Sequence, residues 1–139
     1  MLNRQDAKIA KTREPSEETD RLANAVIGAA IEVHRVLGPG YLESIYEEGM
    51  CVELRARGIS FVRQPSFAVA YKGNAIGKST LDLLVGGVLV VELKAVERLA
   101  PIHPAQVISY PRATGHHLGL LINFNERLLR DGVKRIILS

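Results

Sequence analysis

The first fifteen residues, MLNRQDAKIAKTREP, show no apolar period and end at Pro15. They read as a mobile arm. A helical pattern follows. Ser16 suits an N-cap, and Glu17, Glu18 and Asp20 complement the positive end of a helix dipole. Leu22, Val26, Ala29, Ala30, Val33 and Leu37 then recur at helical spacing, until Gly38-Pro39-Gly40 stops the helix. A second helix is predicted over roughly 41–57, with Leu42, Ile45, Tyr46, Met50 and Leu54 inward and Gly58 just past its end.

The period then changes. Ile59–Lys72 is rich in Phe, Val and Tyr but is interrupted by Pro65, so it predicts one strand or a broken pair. Gly73-Asn74 predicts a turn. Two apolar strands are expected around Gly86-Gly87, over roughly 76–85 and 88–96. Residues 103–114 read as a helix opening on His103-Pro104. Leu118–Phe124 is almost wholly apolar, as a strand buried on both faces would be. Val133–Leu138 is a last strand or tail. The order α-α-β-β-β-α-β-(β) predicts a mixed α/β domain, a central mixed sheet flanked by helices.

Composition narrows the class. A chain of 139 residues with 47% hydrophobic and 24% charged residues can bury one core without staples. Residues 16–139 are therefore read as a single domain. The lone Cys51 excludes an internal disulfide and a cysteine zinc cluster, and suits a reducing, cytoplasmic setting. No apolar run approaches the ~20 residues of a membrane span. The net charge of +3 suggests nucleic acid, but Arg4, Lys8, Lys11 and Arg13 against Asp6 account for all of it. The rest is neutral overall, acidic over 14–71 and basic over 72–139. The sequence offers no aromatic–basic stripe that would favour strong strand binding.

The chemistry concentrates in Ser79-Thr-Leu-Asp82-Leu-Leu-Val-Gly-Gly-Val-Leu-Val-Val-Glu92-Leu-Lys94. Alternation puts Glu92 and Lys94 on one face. A two-residue loop would pair Asp82 with Val91 and turn Glu92 away. A three-residue loop, or a bulge, would set Asp82 beside Glu92. Two carboxylates that close repel unless something positive lies between them. Oxygen ligands favour Mg2+ or Mn2+ over zinc. An ion pair with Lys94 on a solvated face is the plainer alternative. The Leu and Val flanking on both faces argues for a covered sheet, where charges rarely sit without a task. Downstream, Gln106 and Tyr110 share a helix face, with His103 one turn earlier. Upstream, Glu43 and Tyr46 sit on adjacent turns, and Glu32 lies among Ala, Ile and Val. His34, His103, His116 and His117 lack a zinc spacing.

A helical Glu, then Asp and Glu-x-Lys in strands, then Gln-x-x-x-Tyr on a helix, resembles the PD-(D/E)XK nuclease superfamily and its RecB-like branch. More closely, the chain resembles the GxxExxY protein family. The stretches are Ile27-Gly-Ala-Ala-Ile-Glu-Val-His-Arg35, Leu37-Gly-Pro-Gly-Tyr-Leu-Glu-Ser-Ile-Tyr46, Val90-Val-Glu-Leu-Lys-Ala95 and Gly119-Leu-Leu-Ile-Asn-Phe124. The resemblance runs from about residue 20 to the C-terminus. It implies a restriction-endonuclease-like core and a Mg2+-dependent (or Mn2+-dependent) nuclease acting on DNA. Asp82, Glu92 and the Leu93 carbonyl would hold the metal, with Glu43 completing the cluster and Glu32 as the alternative. Lys94 would orient the attacking water, Gln106 would hold Lys94 or phosphate, and Tyr110 would support it. Lys78-Ser-Thr-Leu81 departs from the aromatic and basic residues usual before the Asp, and Pro111 stands inside the helix. The competing readings are a non-catalytic nuclease-like binding or assembly module and a hydrolase of small phosphorylated substrates. A homodimer stays open.

Overall fold

The computed structural model describes residues 16–114 and 118–137; the N-terminal arm and His116 and His117 lie outside them. Helix α1 spans Glu17–Leu37, and Ser16 caps it by accepting from the Thr19 N–H. Gly38, at φ 70°, ends it. Helix α2 spans Glu43–Ala56. Strands β1 (Phe61–Arg63), β2 (Ser66–Tyr71), β3 (Asn74–Thr80), β4 (Leu83–Val85) and β5 (Leu89–Lys94) precede helix α3 (Ile102–Thr114). Strands β6 (Leu118–Asn123) and β7 (Val133–Ile137) close the chain.

The main sheet has the order β1-β4-β5-β6-β7. Only the β5–β6 pair is parallel, so α3 supplies the crossover. Pleating sends Leu89, Val91 and Leu93 to one face, where α1 and α2 bury Val26, Ala30, Tyr46, Met50 and Leu54 against them. Val90 and Leu121 point the other way, onto Leu81 and Val107. Every residue of β6 is buried, as expected for a central strand covered on both sides. This is a restriction-endonuclease-like α/β core. Among the described residues, no helix is long and apolar enough to cross a membrane.

Three expectations need correction. Leu42 and Ile45 are exposed, because the inward stripe of α2 runs through Tyr46, Glu47, Met50, Cys51 and Leu54 instead. The β2–β3 turn falls at Lys72-Gly73, both at positive φ, one residue earlier than expected. The expected strand 76–85 is two strands in different sheets: β3 pairs only with β2 in a separate ribbon, and β4 joins the main sheet. The break is at Leu81-Asp82, where Leu81 donates to Pro65 O and Gln64 donates to Asp82 O. Helix α3, by contrast, continues through Pro111.

Tyr46 ties α2 to the end of α1. Its hydroxyl donates to Gly38 O at 2.6 Å and accepts from Tyr41 N at 3.2 Å, while its ring stacks on Phe124 at 4.6 Å. Tyr46→Phe keeps the stacking and leaves two loop groups without this partner. It should cost about 1 kcal/mol in urea denaturation, because the loop groups can still reach water.

Candidate active site

The loop between β4 and β5 has three residues, Gly86-Gly87-Val88. The register Leu83↔Val91 therefore brings Asp82 opposite Glu92, the closer of the two arrangements considered from sequence. The ladder stops there and the carboxylates replace it. Glu92 Oε1 accepts from Asp82 N at 2.9 Å, and Asp82 Oδ2 accepts from Leu93 N at 2.7 Å. The other oxygen of each carboxylate accepts no hydrogen bond from the described residues.

Both acids are held against their preference for charge. Burial pushes Asp82 up to about 6, with Glu43 and Glu47 adding to it and the Leu93 N–H and Lys94 opposing. Burial pushes Glu92 up to about 7, and Asp82 is the next largest contribution. The Asp82 N–H and Lys94 counter only part of it. One more positive charge here would relieve both groups.

A cavity of about 280 Å³ opens beside the pair. Asp82, Glu92, Lys94 and Gln106 all line it, together with Phe67, Ser79 and Thr80 from the ribbon and Ser109 from α3. Ser109 donates to Gln106 O at 2.7 Å. His103 turns back to accept from Ala100 N at 2.8 Å, a helix-start cap. Tyr110 lies on α3, but its side chain is outside the described residues.

Glu43 opens α2, half-buried, and its charge acts on both Asp82 and Glu92. Glu32 is not brought to the pair: it is held on the outer face of α1 by Arg35 at 2.6 Å. Its carboxyl is correspondingly lowered by the Arg35 hydrogen bond.

Sequence inspection missed three supporting residues. Glu47, one turn beyond Glu43, is buried and accepts from Arg63 Nε at 2.8 Å and Gln64 Nε2 at 3.0 Å. Gln64 in turn donates its backbone N–H to Asp82 O at 2.7 Å, so this chain of bonds fixes the backbone that carries Asp82. Asn123, fully buried, clamps Val96 N and O at 3.0 and 2.9 Å just past Lys94. The spacing Glu43–Glu47 on the face of Tyr46 and Met50 was the available signal for Glu47. Nothing local marked Gln64 or Asn123. Arg63→Ala should cost about 1.5 kcal/mol in chemical denaturation, since Gln64 still holds the Glu47 carboxylate.

Among the described residues, no three His, Cys, Asp or Glu side chains converge as a complete metal cage. The donors present nonetheless suit a hard cation. They are two adjacent carboxylates, each with an oxygen uncommitted among the described residues, in a desolvated site whose charge Lys94 offsets only in part. Mg2+ is commonly held by one or two carboxylates with water completing its shell.

Neither the curated proteins nor the solved structures gave a match. A family model did, over residues 20–136. That span starts in α1 and ends on β7, so it takes in the whole sheet, the acidic pair and both walls of the cavity. On a match of that extent, the chain belongs to the PD-(D/E)XK nuclease superfamily.

Proposed function

We propose that the protein is a Mg2+-dependent (or Mn2+-dependent) nuclease that hydrolyses phosphodiester bonds in DNA. Nuclease membership is given by the family, and divalent metals are characteristic of that superfamily. The observation carrying the finer reading is the Asp82–Glu92 pair set side by side, with Lys94 in the same cavity. Asp82, Glu92 and the Leu93 carbonyl would hold the ion, with Glu43 acting directly or through water. A bound divalent ion supplies Lewis-acid polarisation and lowers the pKa of water. Lys94 orients the attacking water and takes part in its deprotonation. Gln106 holds Lys94 or the substrate phosphate, and Tyr110 supports Gln106. The ribbon and α3 shape the entry and position the strand.

A non-catalytic, nuclease-like module is the second reading, favoured by one observation. Each carboxylate caps a backbone N–H of the opposing strand, as a purely structural residue would. Against it, Asn and Gln would cap those groups without the burial cost both acids carry.

The test is incubation of the purified protein with single- and double-stranded DNA, in Mg2+, Mn2+ or chelator, beside Lys94→Ala. Cleavage that needs metal and Lys94 is expected. No cleavage in any condition, with no metal binding by calorimetry, overturns the reading.

A further inference from the structure

The β2–β3 ribbon stands apart from the main sheet, and apart from Phe67 and Ser79 all its strand residues are exposed. A lone two-stranded ribbon is marginal in water, so exposed apolar groups on it call for a partner. Phe67 and Ser79 are cross-strand neighbours whose side chains line the cavity. Along β2 the same face continues outward through Val69 to Tyr71, while a register shift between Val69 and Ala70 moves the β3 partner from Gly77 to Ala75 and then Asn74. Val69 is 37% and Tyr71 59% exposed. Lys72 Nζ lies 5.4 Å from the Tyr71 ring centroid. From Phe67 to Tyr71 is about 13 Å, room for about four bases stacked at ~3.4 Å.

The charge pattern selects what fits there. Residues 64–81 contain no Asp or Glu, and neither do residues 98–125, which include α3. Both walls of the cavity are thus free of carboxylates, and the acidic pair lies between them. Lys72 adds positive charge at the turn beside Tyr71, whereas Lys78, opposite Ala68, belongs to the other face of the ribbon. An acid-free wall that ends on the exposed Tyr71 ring suits an unpaired nucleic-acid strand, with a base on that ring and a phosphate at Lys72.

We infer that the β2–β3 ribbon is a binding platform for single-stranded DNA, which passes from the cavity along Phe67, Val69 and Tyr71, with Tyr71 stacking on a base and Lys72 meeting a phosphate. The strand's path into the cavity rests on the nuclease reading above.

The test is fluorescence anisotropy of a labelled oligothymidylate of about 12 nucleotides, titrated with full-length Lys94→Ala protein in Mg2+. Adding Tyr71→Ala should weaken binding about tenfold. Adding Tyr71→Phe, which keeps the ring, should hold affinity near the parent's and so separates lost stacking from lost fold. Adding Lys72→Ala should reduce the slope of log Kd against log salt by about 0.7. The inference is overturned if the parent binds no strand, if it binds only duplex, or if Tyr71→Ala binds as the parent does. The readout is binding without turnover, so the two readings fail separately. Strand binding that depends on Tyr71 in a protein that never cleaves DNA sinks only the nuclease reading. Metal-dependent cleavage with Tyr71→Ala binding unchanged sinks only the ribbon.

Discussion

Lys94→Ala is expected to slow DNA cleavage about 10³-fold while Mn2+ still binds. Lys94 lines the cavity two residues beyond Glu92 on the same strand face, and its charge favours ionisation of both Asp82 and Glu92. It is not a metal donor, because an ammonium has no lone pair to give. Its removal should therefore spare the ion and lose the group that positions water. Some weakening of metal binding is avoided rather than caused, since a neighbouring positive charge competes with a cation. Asp82→Asn should behave differently: activity and Mn2+ affinity fall together, because a carboxylate oxygen has been exchanged for an amide. Single-turnover cleavage rates measured beside calorimetric Mn2+ titrations distinguish the two patterns. Equal loss of metal binding in both variants would remove Lys94 from its assigned role and make it part of the ion's scaffold. Cleavage undiminished in Lys94→Ala would remove it from the chemistry altogether.

The elements that bury a continuous stripe were legible in the sequence. Helix α1, strand β6 and the Glu92–Lys94 face each follow from local spacing, because burial on a helix or strand imposes its period directly. The position of Asp82 was legible only as two alternatives, since a single residue in the loop after Val85 decides which partner it meets. The split at Leu81-Asp82 was not legible. Residues 76–85 read as one strand because nothing local marks a change of sheet; the change is imposed by pairing with Pro65 and Gln64 far back in the chain. The outward Leu42 and Ile45 misled for a related reason. An apolar residue at helical spacing marks a face, but only the neighbouring elements decide which of two apolar faces is buried. Glu47 and Asn123 belong to the same class, polar residues that act through partners remote in sequence.

In the absence of metal, Asp82→Asn should make the protein more stable, by about 2 kcal/mol at pH 8. The sign follows from the direction of the shifts. Both acids titrate higher in the folded protein, about 6 against 3.8 for Asp82 and about 7 against 4.5 for Glu92. Between those limits the folded state holds protons that the unfolded chain has released. Stability of the metal-free protein therefore falls as pH rises from 3.8 through about 7, and the penalty is complete above that range. Well below 3.8 both states are protonated and the pair contributes nothing. Asp82→Asn removes one buried charge and the repulsion it exerts on Glu92, while its amide oxygen can still accept from Leu93 N. Mg2+ should reverse the ranking: at about 100 times its Kd it adds about 2.7 kcal/mol to the wild type and little to the variant. Urea denaturation of both proteins at pH 5 and pH 8, in chelator and in Mg2+, measures all of this. A variant less stable than wild type at pH 8 in chelator would mean that the charged cap on the Leu93 N–H outweighs the burial cost. The pair would then be structural, and its two acids would no longer argue for a metal.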